Sequence, residues 1–180
     1  MPRFVAFLRA INVGGRVVTM AELRKHFEAL GLDDVETFIA SGNVVFSSRT
    51  RAVAALERKI AKGLHAELGY DVPSFIRTDG EVAAIAKYQP FTAAQMNGSR
   101  TFCVGLLAEP LTSQAKKALL ALQSEIDIFH AHDREIYWSS QLGQSDSVIS
   151  NVLLERTLKV RFTFRGMHTM VRLVAKYGFS

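Results

Sequence analysis

The sequence of 180 residues predicts an α+β protein built from two similar halves. Three observations support this prediction. Short apolar or alternating runs are separated by amphipathic helical patterns, the order of these elements occurs twice, and turn-forming residues lie between the two copies. Each copy reads strand, helix, strand, strand, helix, strand and then one further helix. This is the order of the ferredoxin-like unit, in which helices cover one face of an antiparallel sheet.

The first half, predicted over residues 1–88, begins with an apolar strand and continues with a helix that starts at Thr19. Thr19 and Glu22 are spaced as a capping box, in which each side chain accepts a hydrogen bond from the other residue's backbone. Gly31 suits a left-handed helix end, and Gly42-Asn43 suits a tight turn between strands. The predicted elements are strands Phe4–Arg9, Val35–Ala40, Val44–Ser47 and Val72–Arg77, a helix from Thr19 to Gly31, a helix Val53–Leu68, and a helix that starts at a second capping box, Thr78 with Glu81, and ends before Pro90.

The second half is predicted over residues 101–180, after a linker at residues 89–100. The linker prediction rests on a proline, small polar residues and Asn97-Gly98 within QPFTAAQMNGSR. We find no convincing residue identity between the halves, so the duplication is predicted from the pattern alone. Whether the eight strands form one sheet or two stays open. The predicted elements are strands Thr101–Leu107, Ile126–Ala131, Glu135–Ser139 and Val160–Arg165, helices Ser113–Gln123 and Ser147–Leu158, and a last helix striped by Met170, Leu173, Val174 and Tyr177.

Composition and charge limit the function classes without selecting one. Hydrophobic residues make up 48% of the chain and charged residues 22%, which is ordinary for a globular protein. The apolar runs are too short to cross a bilayer, and the amino terminus is expected to be a strand and not a signal peptide. Cys103 is the one cysteine, so an internal disulfide and a cysteine-rich metal site are excluded and a cytoplasmic protein is expected. We expect Cys103 to be a buried, inert thiol.

Polar residues gather in two connections of the first half. In the predicted topology, the end of the first strand, the start of the first helix and the turn between the second and third strands lie at one end of the sheet. Glycines, a helix start and guanidinium groups together suit a phosphate or carboxylate group. We therefore predict a small anionic ligand there; the predicted residues are Arg9, Asn12, Gly14, Gly15 and Arg16 in the first connection and Ser41, Gly42 and Asn43 in the second.

A purely structural interpretation of these connections stays open. Gly14 and Gly15 would then only permit a turn, Asn12 would bond to its own backbone, and residues 41–43 would form an ordinary hairpin. The chain lacks the nucleotide-binding motifs GxGxxG and Walker A, and the catalytic motifs GxSxG and HExxH. No catalytic residue and no cofactor is therefore assigned, and the existence of an enzymatic activity is left open.

Other partner classes are weighed against the anionic ligand. The net charge of +5 is spread along the chain, so it favours anionic partners only in a general way. Single-stranded nucleic acid is an alternative partner, because Phe7, Tyr137 and Trp138 lie on suitable strands, but no RNP1-type segment is present and core packing is the preferred explanation. Self-association is a further alternative, and the oligomeric state is left open. No membrane partner is expected.

His130 and His132 alternate onto one face of a predicted strand. A metal ion would need a third ligand, for which only Asp133 and the distant His168 offer themselves. We therefore expect a solvated or core-lining histidine pair and no metal site.

Several segments resemble a bacterial family known as domain of unknown function 1697 (DUF1697). FVAFLRAINVGGRVVTMAELRKHFEALGLDDVETFIASGNVVF at Phe4–Phe46 is similar to the family's strand, RGINVGG-type loop, MAEL helix and SGNVVF hairpin. DVPSFIRT at Asp71–Thr78 and SVISNVLLERTLKV at Ser147–Val160 are also similar. The resemblance implies a bacterial, cytoplasmic α+β protein with ferredoxin-like halves. It implies no established activity, cofactor or substrate.

Carried over position by position, the family pattern adds Arg165 and Thr169 to the predicted ligand-binding residues, together with the pattern positions Met20, Leu23 and Ser147. Arg165 stands at a strand end before a helix, where it either turns toward a ligand or merely caps the sheet. The chain departs from the pattern at two places. Ala10 replaces a glycine, and Gly166-Met167-His168 replaces Asn-Trp-Asn. If those positions act on a ligand, this protein has lost or altered that step.

Overall fold

The computed structural model of the chain describes residues 1–12, 14–39 and 42–180. Its contacts divide it into two units. The first unit comprises Met1–Ile85 with Leu173–Ser180, and the second comprises Ala86–Arg172. Both boundaries fall inside helices, and the predicted domain bounds of 1–88 and 101–180 stay predictions.

The first unit contains a four-stranded antiparallel sheet in the order β2-β3-β1-β4. This order, with the helices that join the strands, confirms the ferredoxin-like prediction for the first half. The elements in chain order are β1 Arg3–Leu8, α1 Met20–Ala29, β2 Asp33–Thr37, β3 Asn43–Ser47, α2 Val53–Leu68, β4 Ser74–Thr78 and α3 Asp79–Lys87.

The second half repeats the architecture with a separate sheet in the order β6-β7-β5-β8. The predicted linker contains a short helix that the sequence analysis did not predict, which begins at a capping box formed by Thr92 and Gln95. The elements are α4 Ala93–Met96, β5 Thr101–Leu107, α5 Ser113–Ala121, β6 Asp127–His132, β7 Glu135–Ser140, α6 Asn151–Leu158, β8 Phe162–Gly166 and α7 Met167–Tyr177.

Each sheet packs one apolar face against its helices. In the first half, alternate residues of β1 point toward α1 and α2, and Phe46 stacks on Phe4 with ring centroids 5.6 Å apart. Phe27 of α1 lies 5.8 Å from the same Phe46 ring. In the second half, Cys103 is buried as predicted, and burial raises the pKa of its thiol, which keeps it protonated and unreactive. None of the described helices has the length and apolar character needed to cross a bilayer.

Two predicted boundaries are wrong for a physical reason. The helix predicted from Ser147 begins at Asn151, because Ser147 donates to the carboxylate of Asp127 and Ser150 is the residue that caps the helix. The second strand starts earlier than predicted, at Asp33, where a register shift accommodates the left-handed backbone of Asp34. Its exposed polar residues gave no apolar pattern to detect.

Candidate functional site

The β1–α1 connection and the β2–β3 hairpin meet at one end of the first sheet. The Leu8 amide donates to the Gly42 carbonyl at 2.8 Å, and Asn12, Gly42 and Asn43 line one small cavity of about 20 Å³. Gly42 has φ +74, and a Cβ there would lie 3.1 Å from both Leu8 Cβ and Ile11 Cγ2. The close approach of the two connections therefore requires glycine at position 42. Ser41, the remaining predicted site residue of the hairpin, lies outside the described residues.

The two asparagines shape these connections. Asn12 Oδ1 accepts a hydrogen bond from the Val18 amide at 2.7 Å, which closes the loop on itself. Asn43 is 1% exposed, and its Nδ2 donates to the Phe38 carbonyl at 3.0 Å. The structural interpretation therefore accounts for both asparagine side chains.

Gly14 and Gly15 have φ values of +62 and +78, and a Cβ added to either would meet nothing within 4 Å. The left-handed backbone, and not a lack of space, favours glycine at both positions. Their exposed main chain is open to a ligand that approaches from solvent.

Arg16 is held in place by an aromatic ring. Its guanidinium carbon lies 4.4 Å from the ring centroid of Tyr70, and the Tyr70 hydroxyl donates to the Ile11 carbonyl at 2.8 Å. The sequence analysis did not include Tyr70. The order of the elements could have indicated Tyr70, because the α2–β4 connection that carries it reaches the same end of the sheet as the β1–α1 connection and the β2–β3 hairpin.

Arg9 also lies at this end. It is half-buried, and its backbone amide donates to the carbonyl of Pro73, which precedes β4. Its neighbour Ala10 has φ +56, a conformation that glycine adopts without strain. The glycine that the DUF1697 pattern carries at this position matches that backbone requirement.

The start of α1 already carries a negative charge. The Glu22 carboxylate accepts from the Thr19 amide and from the Thr19 hydroxyl, both at 2.8 Å, and these two hydrogen bonds lower the pKa of Glu22. The Thr19 hydroxyl in turn accepts from the Glu22 amide at 3.1 Å. The predicted capping box is therefore present, and its carboxylate opposes a second anion at the helix start.

Arg165 and Thr169, the remaining predicted site residues, lie in the second unit. Arg165 Nη1 donates to Thr163 Oγ1 at 2.8 Å and to the Phe164 carbonyl at 2.9 Å, and burial lowers the pKa of Arg165 to about 10. Thr169 is buried in α7. A Cβ at Gly166 would collide with the His168 ring, so the two changes from the family pattern at 166 and 168 fit each other sterically.

The structure also shows equivalent residues that the sequence analysis missed. Val5 pairs with Arg77 in the first sheet and Val104 pairs with Arg165 in the second, so the two arginines hold equivalent positions. Each donates from Nη1 to the carbonyl of its preceding residue at 2.9 Å.

Identical tripeptides follow these arginines, Ala86-Lys87-Tyr88 in one half and Ala175-Lys176-Tyr177 in the other. The sequence analysis did not include this short match, in which the spacing from arginine to tyrosine differs by one residue between the halves.

The two tyrosines meet corresponding edge strands. The Tyr88 hydroxyl lies 2.9 Å from His130 Nε2 on β6, and the Tyr177 hydroxyl donates to Glu36 Oε2 on β2 at 3.1 Å. His130 pairs with Tyr137, which pairs with Val104. Glu36 pairs with Val45, which pairs with Val5. Because Val104 and Val5 hold equivalent positions, His130 and Glu36 are equivalent by register. No group of three metal-ligating residues forms in the part of the chain that the structure describes.

The aromatic residues considered for nucleic-acid stacking are buried. Phe7 is 0% exposed, and Tyr137 and Trp138 are each 1% exposed. The Trp138 indole donates to Asp127 Oδ1 at 2.9 Å within the core. These rings offer no exposed face to an unstacked base.

Comparisons with known proteins agree with the DUF1697 resemblance and with the observed fold. The model of the family described as "Protein of unknown function (DUF1697)" matches residues 1–137. A solved structure, described as that of conserved bacterial protein SP0830 from Streptococcus pneumoniae, is similar with a TM-score of 0.77 at 23% identity over 99% of each chain, which shows a shared fold. A search of curated proteins found no match.

Proposed function

The chain belongs to the DUF1697 family of proteins of unknown function, and we propose that it binds a small phosphate- or carboxylate-bearing ligand at the β1–α1 loop, beside the hairpin of residues 41–43. The observation that carries this proposal is the position of Arg16. Its guanidinium is stacked on Tyr70, on the same loop as the open backbone of Gly14 and Gly15.

The stacking of Arg16 on Tyr70 favours binding in two ways. A guanidinium presents a planar set of donors that matches the oxygens of phosphate and carboxylate. Because the ring already limits the motion of the side chain, less conformational entropy is lost when a ligand arrives. The tether from Tyr70 to the Ile11 carbonyl supports the ring from the loop itself.

The negative charge of Glu22 and the small volume of the cavity limit where the ligand can bind. Glu22 occupies the first turn of α1, so the anion is expected on the glycine side of the loop and not at the helix start. The cavity beneath the loop, about 20 Å³, has room for about one water molecule. The anionic group therefore binds at the surface, and the rest of the ligand extends into solvent.

The test is a titration with inorganic phosphate at constant ionic strength, followed by amide chemical shifts of the full chain. We expect saturable shifts at Gly14, Gly15 and Arg16, and Arg16→Ala should weaken binding about tenfold, in line with a charge-assisted hydrogen bond of about 1.5–3 kcal/mol. Arg51→Ala is the matched control, because Arg51 is exposed on the same unit outside this loop. Equal phosphate affinity in the two variants would contradict the proposal.

A further inference from the structure

Exposed apolar side chains follow Arg16 directly in the chain. Val17 is 77% exposed, and Met20, the first residue of α1, is 43% exposed. Among the described residues of the first unit, Met1 is the one further large apolar residue with an exposed side chain. Single exposed apolar residues are normal on a protein surface. Here, however, the exposed apolar surface of the unit is concentrated beside the guanidinium group to which we assign the anion.

Val17 is held at the surface by both of its neighbours. Arg16 stacks on Tyr70, and the Val18 amide donates to Asn12 Oδ1 at 2.7 Å. The apolar side chain of Val17 is therefore presented by a loop that is fixed on either side. A ligand group that covers Val17 has little further ordering of the loop to impose.

Ile39 brings a third apolar side chain to this place from the β2–β3 hairpin. Its φ is +53, and it is the one β-branched residue among the described non-glycine residues with positive φ. Such a backbone is strained for a β-branched residue, whereas glycine or asparagine adopts it more readily. Ile39 and Met20 line the same small cavity as Asn12 and Gly42. The strained residue thus contributes apolar surface at the candidate site, where retained strain points to function.

We propose that the ligand of the β1–α1 loop is an amphipathic anion, with one phosphate or carboxylate group on a short apolar chain or ring. The anionic group contacts Arg16, and the apolar part, which extends outward from the loop, covers Val17, Met20 and Ile39. This inference rests on the proposed function, because it concerns the same site and adds the chemical class of the ligand.

The charge at the start of α1 favours an uncharged body over a second anionic group. The Glu22 carboxylate lies in the first turn of α1, bonded to the Thr19 amide and hydroxyl. A second phosphate that extended from Arg16 toward Met20 would approach this negative charge. A hydrocarbon group in the same place meets no such repulsion and gains from the removal of apolar surface from water.

The experiment compares methyl phosphate with butyl phosphate, two monoesters with the same charged group. Both are titrated into the full chain at constant ionic strength, and backbone amide and side-chain methyl shifts are followed. We expect butyl phosphate to bind about tenfold more tightly than methyl phosphate, the effect of burying about two methylene groups. Both ligands should shift the amides of residues 14–16, and butyl phosphate should also shift the methyl groups of Val17, Met20 and Ile39.

Polar substitutions of similar shape test the apolar contacts. Val17→Thr and Met20→Gln change exposed side chains, so both variants should fold normally. Each should reduce the advantage of butyl phosphate and leave the affinity for methyl phosphate unchanged. Val148→Thr is the matched control, because Val148 is 85% exposed and belongs to the second unit. This variant should keep the full advantage of butyl phosphate.

Ile39→Asn separates a binding role from a structural one. Asparagine tolerates the left-handed backbone, so the melting temperature should rise, while the advantage of butyl phosphate should fall. An Ile39 side chain that serves the fold alone would change the melting temperature and leave the ratio of the two affinities unchanged.

An amphipathic phosphate monoester can be a free molecule or the headgroup of a lipid. Cosedimentation with phosphatidylcholine vesicles, with and without phosphatidic acid, distinguishes these sources. Sedimentation that requires both phosphatidic acid and Val17 would assign the lipid, and butyl phosphate binding without sedimentation would assign a free ligand.

Two results would overturn the inference. Equal affinities for methyl and butyl phosphate, with shifts at residues 14–16, would exclude the apolar contact and leave the proposed anion site intact. No shift at residues 14–16 with inorganic phosphate or with either ester would exclude the anion site as well.

Discussion

The first strand-to-helix connections of the two halves differ in a way that points to function. The β1–α1 connection spans residues 9–19 and carries two arginines and two glycines, whereas the β5–α5 connection spans residues 108–112 and carries Glu109 and Pro110. Both join a strand to a capped helix in the same architecture. The short connection shows that this fold does not need the longer one, so the extra residues of the first half are available for a binding role.

The hairpins at the same ends of the sheets differ as well. Gly42 lets the first hairpin approach Leu8 and Ile11 closely, and the second hairpin turns at Asp133 with φ +48 and an exposed side chain. The end of the first strand contacts the hairpin in both halves, since the Leu107 amide donates to the Arg134 carbonyl at 2.9 Å. In the part of the chain that the structure describes, the difference is therefore the long glycine loop beside the first hairpin.

Alanine substitutions at two glycines should separate the stability cost of close packing from the stability cost of a left-handed backbone. Gly42→Ala should destabilise the protein by about 2–4 kcal/mol, because it adds overpacking against Leu8 and Ile11 to a left-handed backbone. Gly15→Ala should cost about 1 kcal/mol, because only the backbone is strained. Urea denaturation measures both values. Equal losses would mean that the two connections do not meet as described.

The two helix caps provide the next test. Thr19 and Thr112 cap α1 and α5, but only Thr19 has a glutamate at the third helical position. We expect each threonine-to-alanine variant to lose about 1 kcal/mol of stability, with the larger loss at Thr19. Denaturation of both variants under the same conditions measures this, and a larger loss at Thr112 would contradict it.

The stabilising effect of the capping box at α1 depends on pH. The pKa of Glu22 is lowered in the folded protein, so its stabilising effect is present above the ordinary glutamate pKa and is lost as the pH falls through the folded value. Glu22→Gln should therefore remove part of the acid-induced loss of stability. An unchanged pH profile of the unfolding free energy in Glu22→Gln would exclude this contribution.

The smallest expected effect is at Ala10. Replacing this alanine by glycine relieves the strain of a left-handed backbone at φ +56. Glycine also makes the unfolded chain more flexible, which offsets part of this effect, so we expect the free energy of unfolding to rise by about 0.5–1 kcal/mol. Thermal unfolding measures the change. A loss of stability would show that Ala10 does not carry the strain that its backbone conformation implies.

Local features of the fold could be predicted from the sequence because neighbouring residues determine them. Thr19 with Glu22, and Thr78 with Glu81, form capping boxes as their spacing predicts. The prediction that the helix starts at Ser147 was wrong because the Ser147 hydroxyl donates to Asp127, twenty residues away. No local sequence pattern reveals that contact.

The candidate site was harder to predict, because its supports come from distant parts of the chain. Asn12 and Gly42 could be assigned to one end of the sheet from the order of elements. The Tyr70 ring beneath Arg16 comes from the connection between α2 and β4, and the Tyr88 contact with His130 joins residues 42 positions apart. Their pairing depends on tertiary packing, which periodicity does not encode.

We propose that the β1–α1 loop of the first half, and not its counterpart in the second half, binds an anion. The most direct measurement is the map of amide shifts over the whole chain during the phosphate titration. We expect saturable shifts that centre on residues 14–16, about tenfold weaker binding in Arg16→Ala, and no shifts at residues 108–112. Shifts of equal size at both connections, or none at residues 14–16, would contradict it.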